Sequence, residues 1–183
     1  MPRIWGAVAP LTGVQRRAGP TAMLGRFCAM FSLLAAATLG ASVPTHLDPL
    51  DFFSGHSHGV GTIWIVFKGT QPLRVTSSGR PDGHGGIILD QTIRRGSEPP
   101  KNRSWNLRST SPTTLTGTLS DASGPVTGTI SATTLTLDYP MKGYLSASQT
   151  LVLQPGGRVL LNHMTVSIFG FTVATIDERI TKD

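Results

Sequence analysis

From residue 61 onward the chain alternates apolar and polar positions in short runs, each closed by a turn-forming cluster. In the run 87–94, Ile87, Leu89, Gln91 and Ile93 fall on one face and Ile88, Asp90 and Thr92 on the other. A period of two is strand periodicity. Runs at 61–67, 71–77, 87–94, 103–108, 115–119, 126–130, 135–139, 145–153, 159–166 and 171–179 predict about ten strands. Gln154-Pro155-Gly156-Gly157 is a turn with a mechanism, because Pro presets φ and Gly supplies a positive one. Short strands at about 8–12-residue intervals are the pattern of a sandwich or a barrel. The stretch 149–179 is the densest apolar sequence of the domain and predicts one wall of a barrel. Its last run, 171–179, is the natural partner of 61–67 if the barrel closes. Residues 61–67 are apolar at successive positions, which predicts burial on both faces or packing under the plug. Residues 54–61, rich in Gly, Ser and His, are expected to form a flexible lead-in. Before them, Asp48 can cap a short helical turn with Pro49 at its first position. Phe52 and Phe53 then plug one end of the fold.

The polar positions are mostly Thr and Ser, only 14 % of residues are charged, and the chain holds 21 Gly and 13 Pro. That usage suits strands and tight turns. No Gly-rich loop follows a strand and opens a helix, and no long amphipathic helix is encoded, which excludes nucleotide-binding α/β folds.

The N-terminal segment has a different character. Arg16, Arg17 and Arg26 precede an uncharged apolar run at 27–37, and small residues and Pro44 follow it. A basic region, a short apolar region and a small-residue region predict a cleavable secretory signal helix. The domain plan is therefore a leader at 1–41, whose true start is alternatively Met23, a linker and plug at 42–60, and a barrel at 61–183. The predicted location is the periplasm or beyond. An uncleaved leader would instead anchor the chain in the inner membrane, although the run is shorter than a spanning helix wants. The leader also distorts the net charge of +6: it carries four of the sixteen basic residues and none of the ten acidic ones. The remainder stands near neutrality, so nucleic acid is not an expected partner. The one cysteine, Cys28, lies in the leader, so the domain is expected to have no thiol chemistry.

Three passages carry a family resemblance: Arg103-Ser104-Trp105-Asn106-Leu107, the run TGTLSDASGPVTG from Thr116, and LQPGGRVLLNHMTVSIFGF from Leu153. Together with Phe52-Phe53-Ser54-Gly55 and Leu89-Asp90 they resemble the bacterial envelope family called domain of unknown function 3833, over nearly all of residues 48–182. The resemblance implies a single antiparallel, lipocalin-like (calycin-like) β-barrel of about 8–10 strands, exported or lipid-anchored, with no established activity.

Candidate residues follow from this shape. Trp64, Trp105, Phe67, Met164 and Phe171 are the apolar candidates to line a ligand cavity. Arg94, Arg95, Lys101, Arg103 and Arg108 form the densest basic group, a candidate surface for anionic headgroups. His56 and His58 share a face and are weak candidates as metal ligands; His84 or His163 would have to supply a third. Asp177 and Glu178 are neighbours on a strand and point to opposite faces, so they cannot act as a pair. Arg179 is placed to stack on Trp64. No G-x-S-x-G elbow, catalytic set or cofactor motif is identified. The leading expectation is a binding module for a small apolar or amphipathic ligand, lipid included. The second is an envelope structural or assembly factor acting through its surface, and the third a His-based metal protein or enzyme.

Overall fold

A computed structural model describes residues 46–183. The leader and its apolar run lie outside the described residues. The described residues form a short helix, α1 (Pro49–Phe53), and ten strands: β1 (Gly55–Ile65), β2 (Gly69–Pro81), β3 (Gly86–Arg95), β4 (Lys101–Ser111), β5 (Thr114–Leu119), β6 (Val126–Ser131), β7 (Thr134–Met141), β8 (Leu145–Leu153), β9 (Val159–Ile168) and β10 (Phe171–Lys182). Each strand pairs antiparallel with its neighbour in sequence, and β10 closes the barrel against β1, with Gly61 opposite Glu178 and Ile63 opposite Ile176.

Alternation sorts the side chains. Leu135, Leu151, Leu160 and Val126 point inward and are at most 1 % exposed. Burying each contributes roughly 1.5–3 kcal/mol. The outward positions of β2, Arg74, Thr76, Ser78 and Arg80, are exposed. This apolar-in, polar-out order is the reverse of a barrel that spans a membrane.

Helix α1 is the expected plug. The Asp48 carboxylate accepts from the Leu50 and Asp51 amides, Pro49 takes the first helical position, and Phe52 and Phe53 are buried edge to face. The plug sits at the end where β6 turns into β7, with the Leu47 amide bonded to the Ala132 carbonyl. Lys182 at the end of β10 donates its Nζ to the Asp51 carbonyl at 2.6 Å.

Strand β1 corrects two expectations. It begins at Gly55, because Ser57 and Gly59 continue the inward alternation and pair with β2 and β10; the lead-in is strand. Nor is its far half buried on both faces. Trp64 points outward and is 40 % exposed, and β1 ends at Ile65.

Candidate functional site

Polar residues occur on the inward face of seven neighbouring strands: Gln149 on β8, Asn162 on β9, Glu178 on β10, Ser57 on β1, Ser77 on β2, Gln91 on β3 and Arg103 on β4. Four of the contacts between strands are register pairs: Asn162 with Glu178, Ser57 with Ser77, Ser77 with Gln91, and Gln91 with Arg103. The result is a polar belt around the barrel's interior. Apart from half-buried Arg103, every member is at least nine-tenths buried.

One half of the belt satisfies itself. Gln91 donates through Nε2 to Ser77 Oγ at 3.0 Å, and its Oε1 accepts from Arg103 Nε and from Trp105 Nε1, each at 2.8 Å. The Arg103 guanidinium lies over the Trp105 ring, 5.2 Å from its centroid, and Tyr139 meets that ring edge-on. The other half does not satisfy itself. Asn162 Nδ2 donates to Glu178 Oε2 at 3.1 Å, but Ser57 Oγ, Gln149 Oε1, Asn162 Oδ1 and Glu178 Oε1 have no partner among the described residues. A buried polar atom without a partner costs about 1–3 kcal/mol, so each of the four marks a point where water or a ligand group would bond. Three of the four are acceptors, and a group that satisfies them donates hydrogen bonds.

Glu178 is the one titratable member of this half. Burial pushes its pKa up, while the Asn162 hydrogen bond and the Arg103 charge act in the opposite direction. Burial likewise raises Tyr139, again opposed by Arg103. The Glu178 carboxyl rests over Gly59, where an added Cβ would lie 1.8 Å from Oε1. Away from the plug, the barrel end is lined by half-buried apolar side chains, among them Ile65, Met141, Leu145, Val173 and Ile176.

The sequence-predicted cavity residues separate. Trp105 and Met164 face the interior, with the Tyr139 hydroxyl 3.8 Å from Met164 Sδ. Trp64 is on the outer face, and Phe67 and Phe171 are exposed at the barrel's end, so these three line no interior cavity. The basic group does not form one surface. Arg94 and Lys101 are exposed, Arg95 pairs with Glu98, Arg108 pairs with Asp82, and Arg103 turns inward. The stacked guanidinium is that of Arg103 on Trp105; Arg179 is exposed on the outer face, where alternation puts it opposite inward Glu178. His56 and His58 are both exposed. His58 Nδ1 lies 2.7 Å from Asp183 Oδ1, and His163 Nδ1 lies at the same distance from Asp177 Oδ1. Among the described residues, no group of three His, Cys, Asp or Glu side chains is arranged to hold a metal ion. A shallow groove of about 640 Å³ crosses the outer face of β1–β4, lined by polar side chains including His56, Thr76, Asp90 and Ser104.

Sequence reasoning missed Gln149, Asn162 and Glu178 as belt members. The available signal was parity: each stands at an inward position between apolar residues, as Gln91 does between Leu89 and Ile93.

Residues 38–182 match the family described as "Protein of unknown function (DUF3833)". The chain belongs to this family. No curated protein is significantly similar in sequence. Two solved structures share the barrel. The S-type phycobiliprotein lyase CPES from Guillardia theta superposes with a TM-score of 0.58 at 8 % identity, covering 73 % of this chain and 90 % of its own. Rv2717c from M. tuberculosis superposes with a TM-score of 0.58 at 13 % identity, covering 75 % and 99 %. At these identities the likeness is one of fold: the described residues of the DUF3833 chain form a lipocalin-like closed barrel of ten antiparallel strands.

Proposed function

We propose that this DUF3833 protein is a non-enzymatic binding module. It holds a small amphipathic molecule whose hydrogen-bond-donating end meets Glu178, Asn162, Gln149 and Ser57. The four unpartnered buried atoms carry this reading. The half-buried apolar side chains at the unplugged end suit the molecule's apolar body, and the barrel mouth is where this architecture places ligands. Along β9 and β10, Met164 and Ile176 stand between the mouth and Asn162 and Glu178, with Leu160 and Ile180 beyond them, so the ligand is slim enough to pass these side chains.

Native mass spectrometry of protein purified from its own cells is the test. The expected result is a mass increment over the denatured chain that is lost in the Glu178→Leu/Asn162→Leu double variant. An unliganded native mass, together with a high-resolution crystal structure showing the four atoms bonded only to water, refutes the proposal. The order of basic, apolar and small residues over 16–44 further supports export. Sequencing the N-terminus of the cell-derived protein tests it: a start between residues 41 and 43 supports cleavage, and an intact leader favours the anchored form.

A further inference from the structure

The barrel's unplugged rim is built from the turns β1–β2, β3–β4, β5–β6, β7–β8 and β9–β10. Four aromatic side chains stand on it with nothing among the described residues to cover them: Phe67 (102 % exposed), Tyr144 (83 %), Phe169 (79 %) and Phe171 (76 %). They form one arc. The Tyr144 and Phe169 rings stack at 6.0 Å, joining the β7–β8 and β9–β10 turns. The Val66 amide bonds to the Val173 carbonyl, joining the β1–β2 turn to the start of β10.

The backbone adds a second observation. Phe67, Tyr144 and Phe169 have φ values of 65°, 61° and 47°. This left-handed region penalises bulky side chains, and Gly or Asn is the usual occupant of such turn positions. Three aromatics are thus held at strained positions without gaining burial. Their contribution lies outside the fold.

The charges nearby identify the partner. Lys68 follows Phe67, Lys142 precedes Tyr144 by two residues, and Arg95 and Lys101 flank the neighbouring β3–β4 turn. The acids at this end are Glu98, held by Arg95 and 3.8 Å from Lys68, and Asp121 on the β5–β6 turn, leaving basic residues in excess. Separate aromatic tips on a basic rim suit a soft, anionic, planar surface. Aromatic rings favour the headgroup level of a bilayer, and basic residues are drawn to anionic lipid.

We infer that this rim docks the barrel onto an anionic lipid bilayer, with Phe67, Tyr144, Phe169 and Phe171 entering the interfacial layer. The inference concerns the outside of the rim and does not depend on what fills the interior.

The test uses the full chain with Cys28→Ser and a single new cysteine carrying an environment-sensitive fluorophore at Phe67→Cys, at Phe169→Cys or, as control, at His84→Cys on the plugged end. Vesicles of phosphatidylcholine with phosphatidylglycerol should blue-shift the label at positions 67 and 169 and leave position 84 unchanged. Lys68→Gln/Lys142→Gln should weaken partitioning roughly thirtyfold, the worth of about 1 kcal/mol per basic residue. A second arm uses Phe67→Gly, Tyr144→Gly and Phe169→Gly, each expected to keep or raise the melting temperature while vesicle binding falls. Vesicle binding with no shift at 67 and 169 means that the leader alone attaches the chain and overturns the inference. A shift without vesicles that grows with protein concentration overturns it in favour of self-association. A fall in melting temperature in all three glycine variants overturns it in favour of a structural role.

Discussion

Replacing Gly59 by Ala tests the centre of the proposed site. Gly59 faces inward on β1, and its φ is not in the left-handed region, so alanine is compatible with its backbone. Removing glycine's extra freedom would by itself stabilise the strand by about 0.5–1 kcal/mol. The structure predicts the opposite sign. A Cβ at 59 would lie 1.8 Å from Glu178 Oε1, 2.7 Å from Cδ and 3.1 Å from Cγ, so the carboxyl must retreat by about 1.6 Å to reach ordinary contact at 3.4 Å. Such a retreat strains the bond that the neighbouring Oε2 accepts from Asn162 Nδ2. Overpacking of this kind costs about 1–3 kcal/mol. In a Glu178→Ala background all three clashing atoms are gone, and Gly59→Ala should become neutral or stabilising. Urea denaturation of the four proteins of this double-mutant cycle should give a coupling energy of about 2 kcal/mol or more. Gly61→Ala is the control, because its Cβ would lie 2.0 Å from the Asp177 carbonyl oxygen and deleting the Glu178 side chain leaves that oxygen in place. Equal effects of Gly59→Ala in both backgrounds would refute the placement of Glu178 over β1.

Glu178 also predicts a pH dependence. Its folded pKa is raised, chiefly by burial, so between the unfolded and folded values the native state holds the extra proton. Stability therefore falls as pH rises through that window, by about 1.4 kcal/mol for every pH unit the window spans, and Glu178→Gln should flatten the urea midpoint against pH. Trp105→Phe removes the donor to Gln91 Oε1 and the larger face under Arg103, and should cost about 1–3 kcal/mol in thermal unfolding; a cost near zero would mean that the self-satisfied half of the belt is loosely held. Phe52→Ala should cost about 3–5 kcal/mol by opening the plug, whereas Asp48→Ala should cost about 0.5–2 kcal/mol through the lost cap. Both are read by denaturant titration, and the reverse ranking would show that the plug is held by its cap more than by its aromatic contacts.

The strands were legible because their inward positions are large and apolar. Leu135 and Leu137 announce β7 whatever surrounds it, and Asp48-Pro49 announces α1 through capping chemistry. The first half of β1 was not legible, since Gly, Ser and His carry no periodic apolar signal and only pairing with β2 and β10 makes it a strand. Aromatic hydropathy misled for a related reason. It records that Trp64, Phe67 and Phe171 avoid water, but not that one faces outward and two stand at the rim. The belt stayed hidden because a single polar residue in an apolar run reads as noise. Asn162, Glu178 and Gln149 gain meaning only when three strands bring them side by side.

Closure of the barrel through its first and last strands has a consequence for how the chain is made. β10 must span β9 and β1 at once, and the Asp183 amide still bonds to the His56 carbonyl across the seam. While the polypeptide lacks its final dozen residues, β1 and β9 each present a bare edge, and Glu178 and Ile180 are absent from the interior. Such a nascent chain holds no closed barrel. Folding in this topology includes the longest-range pairing the domain contains, and pairing across so many residues is slow by its nature.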